Sequence, residues 1–237
     1  MKNVIAILFL TVVYLPAQAQ KSIRLYNKGL ALANQGDYQQ AKSLFTKAIL
    51  SNYNFYEAFY NRALVKSKLR DYSGAIKDFT KAIERNPKSA IAYNNRGADK
   101  KELQDYRGAA EDYSKAIEID PQYARAYYNR GIVMYDQANL TAAIDDFSKA
   151  LVLNPAFEDA YFNRAKMYLK VERYEDAISD FTKVIEMNPN NANVYKHRGI
   201  AYSKMLNHEK AMLDFKNALR LTPSDTEALL YVAIDQR

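Results

Sequence analysis

Residues 124–155 read ARAYYNRGIVMYDQANLTAAIDDFSKALVLNP, and their spacing decides the fold. Leu140 to Leu153 carries Ala142, Ala143, Ile144, Phe147, Ala150 and Leu151 on one stripe. Steps of three and four mark an amphipathic helix; a half-buried strand would alternate every second residue. Ala124 to Gln137 reads as a preceding helix, joined to the second by a short polar link. Pro155 ends the second helix, because a proline pushes the residue before it out of the α region. Two helices, a tight turn and a stop make a helical hairpin.

The same hairpin recurs. Pro87, Pro121, Pro155, Pro189 and Pro223 fall at intervals of 34. Asn61-Arg62, Asn95-Arg96, Asn129-Arg130 and Asn163-Arg164 keep the interval and become His197-Arg198 in the last copy. Phe45, Phe79, Tyr113, Phe147, Phe181 and Phe215 form one ladder, and Ala48, Ala82, Ala116, Ala150, Val184 and Ala218 another. Six gapless repeats result: 22–55, 56–89, 90–123, 124–157, 158–191 and 192–225. One hairpin cannot bury its apolar face alone, so neighbours must stack.

The pattern resembles the tetratricopeptide repeat (TPR) family over residues 22–225. Position four of each repeat is aromatic or large and apolar (Leu25, Phe59, Tyr93, Tyr127, Tyr161, Tyr195), and position eight is small (Gly29, Ala63, Gly97, Gly131, Ala165, Gly199). Position twenty is Ala41, Ala75, Ala109, Ala143, Ala177 and Ala211. Repeat 1 departs with Tyr53 in place of the proline, and all repeats carry Arg or Lys at position seven, where the family commonly has Leu. The resemblance implies an all-α, right-handed α-solenoid of six hairpins. Residues 226–237, with Ala228, Leu229, Val232 and Ala233 on one face, are expected to form a C-terminal capping helix.

The unusual arginines have a partner in the sequence. Arg62, Arg96, Arg130, Arg164 and Arg198 each precede an Asp by sixteen residues: Asp78, Asp112, Asp146, Asp180 and Asp214. Repeat 1 has Lys28 and Leu44 instead, so the acid is missing in the one copy that lacks the guanidinium. The expected role is a structural ion pair, since the planar guanidinium can meet a carboxylate with two bonds. A carboxylate-binding ladder is the functional alternative.

The resemblance also implies that the first helices line a concave groove, with positions 2, 5, 6, 9, 12 and 13 inward. Position six then offers Asn27, Asn61, Asn95, Asn129 and Asn163, whose amides could pair with the backbone of an extended peptide; bracing of adjacent helices is the alternative. Position five offers Tyr26, Tyr60, Tyr128 and Phe162, ring surfaces suited to binding or to packing. Lys166, Lys170, Lys196 and Lys204 against Asp159 give the C-terminal half an excess of three positive charges, which favours an acidic segment there. Position nine holds no Asn, so the clamp by which some relatives grip a C-terminal carboxylate is disfavoured.

At the other end, Lys2, the apolar run Val4–Leu15 and Ala17-Gln18-Ala19 read as a signal peptide cut after Ala19. Twelve apolar residues are fewer than the roughly 20 a spanning helix needs. An uncleaved anchor or a core helix is the alternative. The expected domains are a signal peptide, 1–19, and a TPR domain, 20–237, exported to the periplasm or beyond.

Composition narrows the chemistry. Of 237 residues none is Cys and two are His, which removes thiol nucleophiles, disulfides and cysteine-bound metals. His197 and His208 stand eleven apart, unlike a helical ligand pair, and no glycine-rich phosphate loop is present. The net charge of +7 is interspersed along the chain, which argues against nucleic acid as partner. The expectation is a non-enzymatic protein- or peptide-binding scaffold without catalytic residues, metal or cofactor. A module that assembles through its convex face, ends or cap is the alternative.

Overall fold

The computed structural model describes residues 17–235, with side chains to Ala233; the apolar run at 4–15 lies outside them. The described residues form thirteen α-helices and no strand. They fall into two compact units, one up to Pro87 and one from Lys88.

The first unit contains α1 (Ala17–Asn34), α2 (Tyr38–Ser51), α3 (Tyr56–Lys68) and α4 (Tyr72–Arg85), each packed on the next. Helix α1 begins five residues before the first repeat, so Ala17-Gln18-Ala19 are helical. The second unit contains α5 (Ala90–Glu102), α6 (Tyr106–Ile119), α7 (Ala124–Asp136), α8 (Leu140–Leu153), α9 (Glu158–Lys170), α10 (Tyr174–Met187), α11 (Ala192–Lys204), α12 (His208–Leu221) and α13 (Thr226–Asp235). Here too consecutive helices pack in order.

The turn within each hairpin is the same device six times. One residue takes the left-handed conformation: Gly36 at φ 85°, then Arg70, Gln104, Ala138, Glu172 and Leu206 at 59–62°. The amide three residues past the helix closes back on it, as from Asp71 to the Lys66 carbonyl (2.9 Å) and from Asn139 to the Met134 carbonyl (2.8 Å). This is the Schellman arrangement, which satisfies carbonyls that a helix end leaves unpaired. The next helix is capped at once. Asp37, Asp71, Asp105, Asn139 and Asn207 accept from the backbone amide three residues on. Arg173 cannot cap α10 this way, and Asp176 in the first turn receives its guanidinium at 2.7 Å.

The core follows the ladders. Phe45, Phe79, Tyr113, Phe147, Phe181 and Phe215 are all buried. The small residue at position eight is what admits the ring. A Cβ on Gly131 would stand 2.8 Å from the Phe147 ring and 3.3 Å from the Ala143 carbonyl, so α7 and α8 approach to contact distance. Repeat 1 ends α2 without a proline because Asn52, extended at φ −149°, accepts from the Asn54 amide and turns the chain.

The terminal helix differs in detail from the sequence expectation. Ala228 is buried and Tyr231 stacks on Phe215 with ring centroids 5.1 Å apart, but Leu229 is 48% and Leu230 59% exposed. The contact face is therefore Ala228 and Tyr231. The ring of Phe215, left uncovered at the end of the repeats, takes an aromatic partner in preference to the aliphatic stripe.

Candidate protein-interaction surface

Each of the five arginines stands on a first helix and meets the aspartate of its own hairpin through Nε and Nη2. The bonds are 2.7 and 2.6 Å for Arg62–Asp78, 2.9 and 2.6 Å for Arg96–Asp112, and 2.8 and 2.7 Å for Arg130–Asp146. They are 2.7 and 2.8 Å for Arg164–Asp180 and 2.8 and 2.9 Å for Arg198–Asp214. The aspartates are buried, and burial holds the Asp180 carboxyl above its ordinary value of 3.8 despite the guanidinium against it. Nη1 reaches back to the preceding hairpin. Arg62 donates to Thr46 Oγ1 (3.1 Å), Arg130 to Ser114 Oγ (3.1 Å), Arg164 to Ser148 Oγ (2.9 Å) and Arg198 to Thr182 Oγ1 (3.0 Å). Each of these arginines thus ties three helices. Two further cations join in: Lys66 Nζ lies 2.7 Å from Asp78 and Lys100 Nζ 2.9 Å from Asp112.

Among the residues read as inward-facing, the asparagines are committed to their neighbours. Asn61 Nδ2 donates to the Tyr26 hydroxyl (3.0 Å) and to the Glu57 carbonyl (2.9 Å). Asn163 Nδ2 donates to the Tyr128 hydroxyl (3.0 Å) and Asn129 Nδ2 to Asn94 Oδ1 (2.9 Å). Asn95 accepts from Asn94 Nδ2 at 3.3 Å, while Asn27 is exposed on α1 beside Ile23, Arg24 and Lys28. The expected row of amides open for a ligand is corrected accordingly. One N–H of Asn61, Asn129 and Asn163 braces the preceding first helix, and the carbonyl Oδ1 of each meets no donor among the described residues.

The rings at position five are half-buried. Tyr26 packs on Phe45 and Phe55, Tyr60 on Tyr56 and Phe79, Tyr128 on Phe147 and Phe157, and Phe162 on Phe181 and His197, at centroid distances of 4.6–5.9 Å. Burial raises the pKa of Tyr26 and Tyr128, so both keep their phenolic proton. These rings are therefore core on one side, and the hydroxyls of Tyr26 and Tyr128 accept from the asparagine of the next first helix.

The lysines divide. Lys196 is 13% exposed and bridges Asp225 and Glu227 of the terminal segment at 3.0 Å each. Burial works against its charge, but the two carboxylates outweigh that and raise its pKa. It anchors α13, and reading it as a groove cation is corrected: those two acids offset much of the C-terminal positive excess. Lys166 lies over the Phe162 ring and Lys170 over the Tyr135 ring, both at 5.6 Å, while Lys204 is exposed at the end of α11. His197 replaces the asparagine of earlier repeats. Burial among rings lowers its pKa, the Asn193 carbonyl 2.8 Å from Nδ1 opposes that, and Lys166 and Lys196 push it lower again.

Sequence reading missed the hydroxyls that receive Nη1, although Thr46, Ser114, Ser148 and Thr182 stand at the same position of their repeats. It also missed Lys66 and Lys100, both at position eleven.

Comparison with known proteins agrees with the geometry. Models described as tetratricopeptide repeat match residues 24–55, 56–89, 124–157 and 158–191, and one described as TPR repeat matches 100–138. No curated protein matches the chain. The chain is similar to the solved structure of YrrB, a TPR protein with an unusual peptide-binding site: 25% identity, 78% of this chain and 96% of that one, TM-score 0.70. The Pseudomonas aeruginosa pilF structure aligns at 20% identity over 92% of this chain and 100% of that one, TM-score 0.78. MamA from Desulfovibrio magneticus RS-1 aligns at 23% identity over 74% and 99%, TM-score 0.68. At these identities the last two speak for the fold alone. No described helix is long and apolar enough to cross a membrane. With family models taking in residues 24–89 and 100–191, the chain belongs to the tetratricopeptide repeat family of protein-interaction scaffolds.

Proposed function

We propose that the chain captures an extended segment of another polypeptide along the face formed by its first helices, acting outside the cytoplasm after loss of residues 1–19. The observation that carries this is the pairing of Tyr26 with Asn61 and of Tyr128 with Asn163. In each pair the tyrosine oxygen accepts from the amide, which leaves its own O–H as a donor and the asparagine Oδ1 as an acceptor. A fixed donor next to a fixed acceptor matches the N–H and C=O of a peptide backbone whatever its side chains. Both groups are already oriented, so little entropy is lost on binding. The peptide-binding site of YrrB supports the same use of the fold. Lys166, Lys170 and Lys204 still favour acidic residues where the segment crosses the C-terminal half of that face. Export rests on the apolar run and the small-x-small residues that follow it.

The test is peptide selection by the chain 20–237 from a displayed library, followed by Tyr128→Phe with Asn163→Leu. That variant keeps the ring and the volume but removes the donor and the acceptor. Loss of peptide binding with an unchanged melting temperature is expected. Binding that survives the double variant, or a library that yields no linear peptide, would reject the reading.

A second reading is assembly through the C-terminal end, favoured by exposed Leu206, Leu213, Leu229 and Leu230. Light scattering on Leu229→Lys with Leu230→Lys decides it, since only an assembly seated on α13 would dissociate.

A further inference from the structure

Repeat 3 breaks its own repeat pattern at points that meet in space. Position ten is Ala31, Val65, Val133, Met167 and Ala201 in five repeats, but Asp99 in the third. Position twenty-four is Phe in five repeats, but Tyr113 in the third. Position nine is Leu30, Leu64, Ile132, Lys166 and Ile200 elsewhere, but only Ala98 here. A cavity of about 250 Å³ opens beside these residues, lined by Ala98, Asp99, Lys101, Glu102 and Tyr113, with Tyr128, Asn129 and Ile132 across from them. It is large beside the ~30 Å³ share of one liquid water and small beside a drug-sized pocket, so it fits one long side chain.

Its lining is polar where the other repeats are apolar. Asp99 is 4% exposed and Tyr113 is 1% exposed. The Tyr113 hydroxyl makes no hydrogen bond among the described residues, which leaves a buried donor and acceptor without a partner. Burial, then the carboxylates of Asp112, Asp99 and Glu102, drive its pKa up, so it stays a neutral hydroxyl. Glu102 stands at the rim with Lys101 3.5 Å away. The lining thus carries the two carboxylates of Asp99 and Glu102 and the ammonium of Lys101. Asn94 Oδ1 holds the amide of Asn129 at the far wall.

We propose that this cavity is a specificity pocket for a basic side chain, lysine or arginine, of a polypeptide lying along the first-helix face. It rests on the reading of that face as a peptide-binding surface. The aliphatic stem lies against Ala98, Ile132 and the Tyr128 ring, and the cationic head reaches Asp99 and the Tyr113 oxygen. A carboxylate has acceptor capacity for several donors, so Asp99 can take the cation in addition to its other contacts. A buried cation needs such a partner, whereas an apolar side chain of the same length would leave the Tyr113 hydroxyl unmatched.

The test uses the chain 20–237 and two probes, N-acetyl-lysine amide and the uncharged N-acetyl-norleucine amide, titrated by amide NMR. Saturable shifts centred on Ala98, Asp99, Tyr113 and Ile132 with the lysine probe alone are expected. Asp99→Val and Tyr113→Phe install residues that other repeats carry, so both variants should fold. Asp99→Val is expected to weaken the lysine probe at least tenfold and Tyr113→Phe about fivefold, as charged and neutral hydrogen bonds warrant. Equal binding of both probes, shifts elsewhere, or unchanged affinity in Asp99→Val would overturn the pocket. Displayed peptides separate the two readings. Selected peptides without a basic preference refute the pocket and leave the face standing, whereas a lysine probe that titrates while no peptide is selected refutes the face alone.

Discussion

Replacing Arg164 with Met should cost far more than the same change at Arg62, although the two arginines look alike in sequence. Arg164→Met strands Asp180, a buried carboxylate with no second cation, because position eleven of that repeat is Tyr168. Breaking a buried pair from one side typically costs about 3–5 kcal/mol. An upper bound comes from the acid itself. It can take a proton, and at pH 7 that costs about 4 kcal/mol for an ordinary carboxyl at about 1.4 kcal/mol per pH unit. The expected loss is therefore about 3–4 kcal/mol. Arg62→Met leaves Lys66 Nζ 2.7 Å from Asp78, so its charge stays compensated. About 1–2 kcal/mol should be lost there, near the value of one charged hydrogen bond.

The pH dependence separates the two variants further. In Arg164→Met the folded chain holds a proton on Asp180 that the unfolded chain has released, so stability rises as pH falls toward the unfolded pKa. Between pH 7 and pH 5 about 2 kcal/mol should return. Arg62→Met should show little of this. Adding Asp180→Leu to Arg164→Met, in imitation of Leu44 in repeat 1, should recover stability to within about 1 kcal/mol, since buried pairs exchange for apolar residues at small net cost. Urea unfolding followed by far-ultraviolet circular dichroism at both pH values gives all of these quantities. Equal losses at the two sites, or an Arg164→Met loss that does not shrink on acidification, would refute the argument.

Other perturbations follow the same geometry. His197 is held neutral by burial, so its contribution is present above pH 6.5 and is lost as pH falls and the unfolded chain takes the proton first; His197→Asn should flatten that part of the stability profile between pH 7 and 5. Lys196→Met should release α13, seen as about tenfold faster hydrogen exchange at Ala228–Tyr231 with α5 and α6 unchanged. Ala138→Gly should stabilise by about 1 kcal/mol in thermal unfolding, because alanine at φ 61° pays a steric penalty that glycine avoids.

The hairpins were legible because proline, the aromatic ladder and the small residues each recur at one interval. Leu140–Leu153 is the helix its stripe predicts, and α7 ends at Asp136, one residue short of the expected Gln137. The turns were legible as polar links but not as left-handed residues, since only Gly36 of the six carries the usual marker. The surface was harder. Asn61 and Tyr26, like Asn163 and Tyr128, stand 35 residues apart, so aligning the repeats at 34 puts them in different columns and hides the pair. Lys196 looked open because its two acids lie beyond the last hairpin. The cavity at Asp99 is a departure from the pattern, and a search for what repeats passes over it.

The bonds that join one hairpin to the next run one way. Arg62, Arg130, Arg164 and Arg198 all donate from the later hairpin to the earlier, as do Asn61, Asn129 and Asn163. Repeats 2, 4, 5 and 6 therefore bring plugs for the copy in front and find sockets on it. A tandem duplication inside either unit supplies both halves of its new seam without any compensating change. The array can lengthen by copying alone, whereas a hairpin whose arginine is replaced cannot be inserted without breaking the line.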